Sequence, residues 1–189
     1  MSSAAASPVL VVVTGLQGTG KSTIAGTVSE LLDAPVLAHD WAMSGLRPFP
    51  SVQRALDSME PPGHGAVGWS ILCALAQAQL RRGSSVVLDG MARAPDIRRC
   101  RHMAEQEGAR VVIMLTECTD SEVHRSRIEG RTRSIPNWYE LNWAHVQRSQ
   151  ITWQPPDRVD LTLDAIEPLE TNLRRVESLL LDVGDTPVI

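Results

Sequence analysis

Gly15, Gly20, Lys21 and Ser22 stand in the string GLQGTGKS, residues 15–22, with four residues between the first pair of glycines. These types at this spacing suit one task, the holding of a polyphosphate. Glycines let backbone N–H groups turn inward and approach an anion closely. A helix that opens at the end of the string adds a partial positive charge at its N-terminus. The compact ammonium of Lys21 is of a length to reach β- and γ-phosphates, and the Ser22 hydroxyl is of a kind that ligates Mg²⁺. The expected ATP-binding residues are therefore Gly15, Leu16, Gln17, Gly18, Thr19, Gly20, Lys21, Ser22 and Thr23, with ATP and Mg²⁺ as the implied cofactors.

The pattern carries meaning only after a strand and before a helix. Both flanks read that way. Val9 to Thr14 is a continuous apolar run, as expected of a strand buried on both faces, and Lys21 to Leu32 reads as a helix. A compositional fact sharpens the reading. Of 18 basic residues, Lys21 is the only lysine. The planar guanidinium of arginine would not replace an ammonium there. The same scarcity excludes a GTPase, whose guanine-reading motif needs a second lysine after an asparagine. A further carboxylate, Asp89, ends the apolar string VVLD. In this position it is expected to orient Mg²⁺ together with Ser22; the alternative is a plain Asp-Gly turn.

The elements that must position these groups follow from periodicity. Strands are expected at 35–38, 84–88, 110–116 and 158–163, in addition to the first. Helices are expected at 66–82, 95–107, 120–130 and 168–181, with irregular chain at 39–63 and again after 130. Strands alternating with helices predict an α/β fold, a three-layer α/β/α sandwich on a five-stranded parallel sheet, with ligands at the carboxyl ends of the strands. The 189 residues are expected to form a single domain, with tails at 1–7 and 182–189. A net charge of −4 does not advertise nucleic-acid binding by the surface as a whole, although residues 81–133 are rich in arginine. Cys73, Cys100 and Cys118 form no CxxC pair, and reduced thiols are expected. The N-terminus lacks a positive n-region and no apolar run is long enough for a membrane span, so the expectation is a soluble, cytoplasmic protein without a membrane partner.

The strings GLQGTGKS, AHDW, VVLDG and HRSRIEGRTRSIP together resemble the polynucleotide-kinase-like "predicted kinases" of the P-loop superfamily, an AAA-type ATP-binding group related to chloramphenicol phosphotransferase, zeta toxins and gluconate kinase. The resemblance spans residues 8 to 181. It implies an ATP-dependent kinase with a hydroxyl acceptor, a nucleoside-kinase-like fold and a small helical lid at about 125–138. By this resemblance Asp40, just after the second strand, takes the proton of the attacking hydroxyl; the alternative is a helix N-cap. Adjacent His39 is expected to point the opposite way, as neighbours on a strand do. The lid implies arginines on the transferring phosphoryl group. Arg131 and Arg127 are four apart and expected to share a helix face, with Arg125 and Arg133 nearby and Glu122 and Glu129 as competing partners. DGMAR, residues 89–93, looks like the DGFPR stretch of adenylate kinases without its Phe-Pro pair. Arg93, with Arg47 and Trp41, is accordingly an acceptor-binding candidate. The implied acceptor is a small or nucleoside-like molecule. Alternatives are the 5′ end of a nucleic acid, a sugar nucleotide as in zeta toxins, and a nucleotide-dependent switch with no acceptor. Oligomeric state is open.

Overall fold

A computed structural model describes residues 7–60 and 63–185, with side chains reported to residue 182. Its five strands are β1 (Val9–Thr14), β2 (Val36–Ala38), β3 (Val86–Asp89), β4 (Arg110–Glu117) and β5 (Leu161–Asp164), all parallel in the order β2-β3-β1-β4-β5. The helices are α1 (Lys21–Leu32), α2 (His39–Ser44), α3 (Pro50–Asp57), α4 (Gly63–Leu80), α5 (Ala94–Gln106), α6 (Ser121–Glu129), α7 (Trp143–Thr152) and α8 (Leu169–Asp185). This is the expected five-stranded parallel α/β sandwich.

All six residues of β1 are buried, and the pleat deals them to two cores. Leu10 and Val12 join Leu72, Ala76, Leu88, Cys100 and Ile113 under α4 and α5. Val9, Val11 and Val13 join Ile24, Val28, Val87, Met114 and Val176 under α1 and α8. A sheet covered on both faces needs apolar residues at every position of its central strand, which is why VLVVV shows no alternation. Helices start where side chains or proline favour it. Asp120 caps α6 by accepting from the N–H groups of Glu122 and Val123 at 2.8 and 3.0 Å. Pro95 occupies the first turn of α5, and α1 stops at Asp33, which turns left-handed (φ 47°).

Register places the site. Val13 and Ala38 both lie beside Asp89, and Thr14 lies beside Leu115. The carboxyl ends of β2, β3, β1 and β4 therefore form one edge. The chain runs from β1 to β2 and back to β3 on one side of β1, then crosses to β4 and β5 on the other, the reversal at which such sheets bind ligands.

Several expectations are corrected. The stretch 39–63 is not irregular throughout, since it contains α2 and α3; their shortness and interruption by Gly45 and Pro48 hide the period. The segment after Glu129 holds a helix, α7, opened by Asn142, whose side chain accepts from His145 N–H at 3.1 Å. That helix buries little besides Val146, so its apolar pattern is faint. The stretch expected as a helical lid, about 125–138, is helical only as far as Glu129, where α6 ends. Gly130, Pro136 and left-handed Ser134 and Asn137 (φ 53° and 58°) keep 130–142 out of helix and strand. Of the expected tails, 1–6 and 186–189 lie outside the described residues, whereas 182–185 complete α8. Cys73 and Cys100, distant in sequence, meet across α4 and α5 with sulfurs 3.9 Å apart and unbonded. No helix among the described residues is long and apolar enough to cross a membrane.

Leu72 is fully buried where α4 meets the sheet. Leu72→Ala is expected to cost about 2–5 kcal/mol through lost transfer energy and the cavity left behind, measured by urea unfolding.

Candidate active site

The turn from β1 into α1 is shaped by neighbours that leave no room for side chains. A Cβ at Gly15 (φ 146°) would lie within 2.1 Å of the Thr116 carbonyl oxygen of β4. One at Gly18 (φ 83°) would strike Ile128 of α6 at 2.6 Å. Gly20 (φ 91°) turns the chain into α1. Thr19 faces inward rather than toward a ligand: its hydroxyl donates to Leu16 O at 2.8 Å and lies 2.7 Å from the Thr116 hydroxyl. The buried His124 of α6 has Nε2 2.6 Å from Gln17 O, and its ring meets Trp143 of α7 edge-on. Gln17 Nε2 donates to Ser149 Oγ on α7 at 3.0 Å. The loop is thus braced from β4, α6 and α7 before any ligand arrives.

A cavity of about 1350 Å³ opens over this edge of the sheet. The loop lines it with Gln17, Gly18, Lys21 and Ser22, and Asp40, Trp41, Asp89, Arg93 and Arg131 line it too. Among the expected ATP-binding residues, Gly15, Leu16, Thr19, Gly20 and Thr23 set the loop's shape from outside the cavity lining. The Lys21 ammonium donates to Leu16 O at 2.7 Å. Burial pulls its pKa below the ordinary lysine value, against the attraction of Asp89 and Asp40.

Ser22 Oγ donates to Asp89 Oδ2 at 2.7 Å. One hydroxyl and one carboxylate, with no cluster of three or more His, Cys, Asp or Glu among the described residues, suit Mg²⁺. That ion usually takes one or two protein oxygens and fills the rest of its octahedron with water and phosphate. Burial raises the pKa of Asp89, outweighing Lys21 and the Ser22 hydrogen bond.

Asp40 lies in the first turn of α2, whose N-cap is Ala38, so it is not the capping residue. A carboxylate there is favoured by the helix dipole. His39 does not point away, because the chain is already helical at this position. Its Nδ1 is 3.5 Å from Asp40 Oδ1, and Nε2 is 3.2 Å from Gly65 O. The ring fits because Gly68 and Gly90 lack side chains; a Cβ at Gly68 would fall 2.2 Å from Nε2. Arg133 Nη1 donates to Asp40 Oδ2 at 2.5 Å, and Nη2 donates to Tyr139 O at 2.6 Å. Burial pushes the Asp40 pKa up, but the His39 hydrogen bond and the charges of Arg133, His39 and Lys21 hold it below the ordinary value.

The arginines sort differently from expectation. α6 ends at Glu129, so Arg127 and Arg131 share no helix face. Arg131 lies past the helix end on the cavity wall, where its charge acts on Lys21 and Asp89. Arg127 is outside the cavity lining and donates to Ala165 O at 2.6 Å, just past the end of β5. Arg125 pairs with Glu129 at 2.9 Å. Arg133 takes the place next to Asp40, a contact no spacing rule could reveal. Arg93 lines the cavity; Arg47 does not, its guanidinium lying 5.0 Å above the Trp138 ring and 5.7 Å from that of Tyr139. Trp41 lines the wall and is 56% exposed, free to meet a ligand.

A raised carboxyl pKa means that ionising Asp89 opposes folding once the pH exceeds its unfolded value. The folded protein without metal is less stable there than it would be with a neutral group, and the penalty disappears at lower pH. Asp89→Asn, which can still accept from Ser22, is expected to melt no lower than the parent at neutral pH without metal, while losing the stabilisation the parent gains from Mg²⁺ with nucleotide. Thermal melts with and without Mg²⁺ check both halves.

Comparison with known proteins agrees with the fold. A family model of the AAA domain matches residues 10–156. Solved structures of similar fold include a gluconokinase from Sinorhizobium meliloti 1021, 19% identical over 95% of both chains with a TM-score of 0.65. Another is the Mycobacterium tuberculosis APS kinase CysC in complex with AMPPNP and APS, 20% identical over 93% of this chain and 99% of that one, TM-score 0.63. A third is Chaetomium thermophilum Kti12 in complex with ADP-AlF3, 16% identical over 94% of this chain and 100% of that one, TM-score 0.68. No curated protein matches the sequence. With the family model covering residues 10–156, well over half of its length, the chain belongs to the AAA domain family of P-loop proteins.

Proposed function

We propose that the protein is an ATP-dependent kinase that transfers the γ-phosphate to a hydroxyl group of a small molecule. One observation carries the reading: a carboxylate without a structural capping duty, Asp40, shares a cavity with Lys21 and the Ser22–Asp89 pair. The solved gluconokinase and APS kinase of the same fold support the reaction class.

In this reading the loop amides and Lys21 hold the β- and γ-phosphates, while Ser22 and Asp89 offer oxygens to Mg²⁺. Held there, Mg²⁺ would neutralise part of the phosphate charge. Asp40 aligns the acceptor hydroxyl. A bond forms from that oxygen to the γ-phosphorus, the bond from phosphorus to the bridging oxygen breaks, and the hydroxyl proton passes to Asp40. Its depressed pKa makes Asp40 a weak base, which suits a loose transition state in which the proton leaves late. A carboxylate offers about four lone-pair positions, so Asp40 can keep Arg133 and His39 and still accept from a hydroxyl. Arg131, on the cavity wall where its charge acts on Lys21, is placed to meet charge developing on the phosphoryl oxygens.

A small acceptor is favoured over a polynucleotide by two contacts that tie the α2–α3 segment to the 130–142 loop. Arg133 holds Asp40, and Arg47 covers Trp138 and Tyr139. Together they roof the acceptor side. The volume of about 1350 Å³ exceeds the roughly 300–1,000 Å³ usual for one ligand, leaving room for a second beside the nucleotide.

The test is an ATP-consumption screen over sugars, sugar acids, nucleosides, antibiotics and 5′-hydroxyl oligonucleotides, with Asp40→Asn as control. An acceptor-dependent rate is expected that Asp40→Asn lowers by about 10²–10⁴-fold while Mg·ATP still binds. Full turnover in Asp40→Asn would remove the proposed base.

A further inference from the structure

Two positive side chains of the cavity remain once those at the phosphate end and the one beside Asp40 are assigned. Its wall holds Lys21, Arg93, Arg131, Arg133 and Arg148 against two carboxylates, Asp40 and Asp89. Lys21 and Arg131 act on Asp89 and on each other, which assigns them to the phosphate end. Arg133 is committed to Asp40 and to Tyr139 O. Arg93 and Arg148 remain. Neither guanidinium has a hydrogen bond or an ion pair within 4.0 Å among the described residues. Arg93 sits over Gly65 of α4, where an added Cβ would lie 2.9 Å from its Nη1. Arg148, on α7, is near enough to Tyr139 for its charge to act on the phenol.

The same wall holds an unused donor. Trp138 lines the cavity, and its Nε1 is buried with no hydrogen-bond partner. A buried N–H without an acceptor is unfavourable and uncommon, so a partner is to be sought in a ligand. Stacking on Tyr139 (centroids 4.9 Å apart) and the Arg47 guanidinium above fix the indole plane. The donor therefore sits on a held ring, on the residue next to Tyr139, the phenol on which the charge of Arg148 acts. A neutral acceptor would leave Arg148 without an anionic partner, and Arg93 with only the nearby Asp96 carboxylate, to which its guanidinium makes no ion pair within 4.0 Å. An oxyanion would meet them and the indole N–H with charge-assisted hydrogen bonds.

We infer that the acceptor carries an oxyanion in addition to its hydroxyl, bound by Arg148 and the Trp138 indole N–H with Arg93 supplying a second positive charge. Phosphate, sulfate and carboxylate share the chemistry. The inference rests on the kinase reading for the role of the occupant, but the subsite itself is testable without turnover.

The first arm titrates inorganic phosphate, sulfate and acetate, each separately, into the protein saturated with Mg·AMPPNP, by calorimetry. One ion per chain is expected to bind, and the strongest of the three identifies the class. Arg148→Gln and Trp138→Phe are each expected to weaken it at least fivefold, with AMPPNP affinity changed less than twofold. Arg148 is largely exposed, so its substitution does not threaten the fold. No ion binding to the nucleotide complex, or equal binding by parent and both variants, overturns the proposal, as does an adventitious ion only, one bound elsewhere and indifferent to both substitutions. The second arm compares matched acceptors under saturating Mg·ATP: sugar phosphates with sugars, sugar acids with sugars, and nucleoside monophosphates with nucleosides. The charged member is expected to lead by tenfold or more in kcat/KM, and Arg148→Gln to shrink that ratio. Preference for the neutral member overturns the inference and leaves the kinase reading standing. Ion binding as expected with no acceptor consumed retains the oxyanion subsite and removes the kinase reading.

Discussion

The close approach of Gly15 to β4 is the constraint on which the rest of the site depends. Only a residue without Cβ can pass the Thr116 carbonyl at that distance, and only glycine readily holds φ of 146°, 83° and 91° at positions 15, 18 and 20. These conformations turn successive N–H groups toward one point and deliver the chain into α1 with its N-terminus facing the same point. Thr116, Ile128, His124 and, through Gln17, Ser149 hold the loop from beneath and beside. The cradle is thus pre-organised by tertiary packing, and ligand binding need not supply the ordering entropy.

Around the cradle the protein keeps charges in tension. Burial lowers the pKa of Lys21 and raises that of Asp89, so each is held less favourably charged than in water. A polyphosphate and a divalent cation would relieve both at once, the phosphate for Lys21 and the metal for Asp89. Asp40 is the opposite case, kept ionised by His39 and Arg133. Groups whose environments push their pKa values apart in one cavity mark a site where stability has been given up for chemistry.

What could be read from the sequence was local in chain or in sheet register. The glycine loop is eight consecutive residues, and its meaning follows from the strand and helix that flank it. Asp89 was placed by the rule that strand ends hold ligands, and register confirms its position beside Val13. Asp40 was found through resemblance. What escaped was non-local. The pairing of Arg133 with Asp40 spans 93 positions, and no pattern in RTRSIP separates Arg133 from Arg131. The helical spacing of Arg127 and Arg131 misled because the helix stops between them. The expectation that His39 points away from Asp40 fails because α2 begins at that residue, and three glycines on α4 and after β3 make its pocket. The bracing of the loop by His124 and Ser149 required α7, whose weak apolar face left only its Asn142 cap as a signal.

The central claim is that backbone amides and a single ammonium gather a triphosphate where β1 hands over to α1. Calorimetric titration of Mg·ATP into the parent and into Lys21→Ala, both shown folded by circular dichroism, tests it without reference to any acceptor. The account predicts that the variant binds at least roughly 100-fold more weakly, about 2.8 kcal/mol. Equal affinity in the two proteins would contradict it.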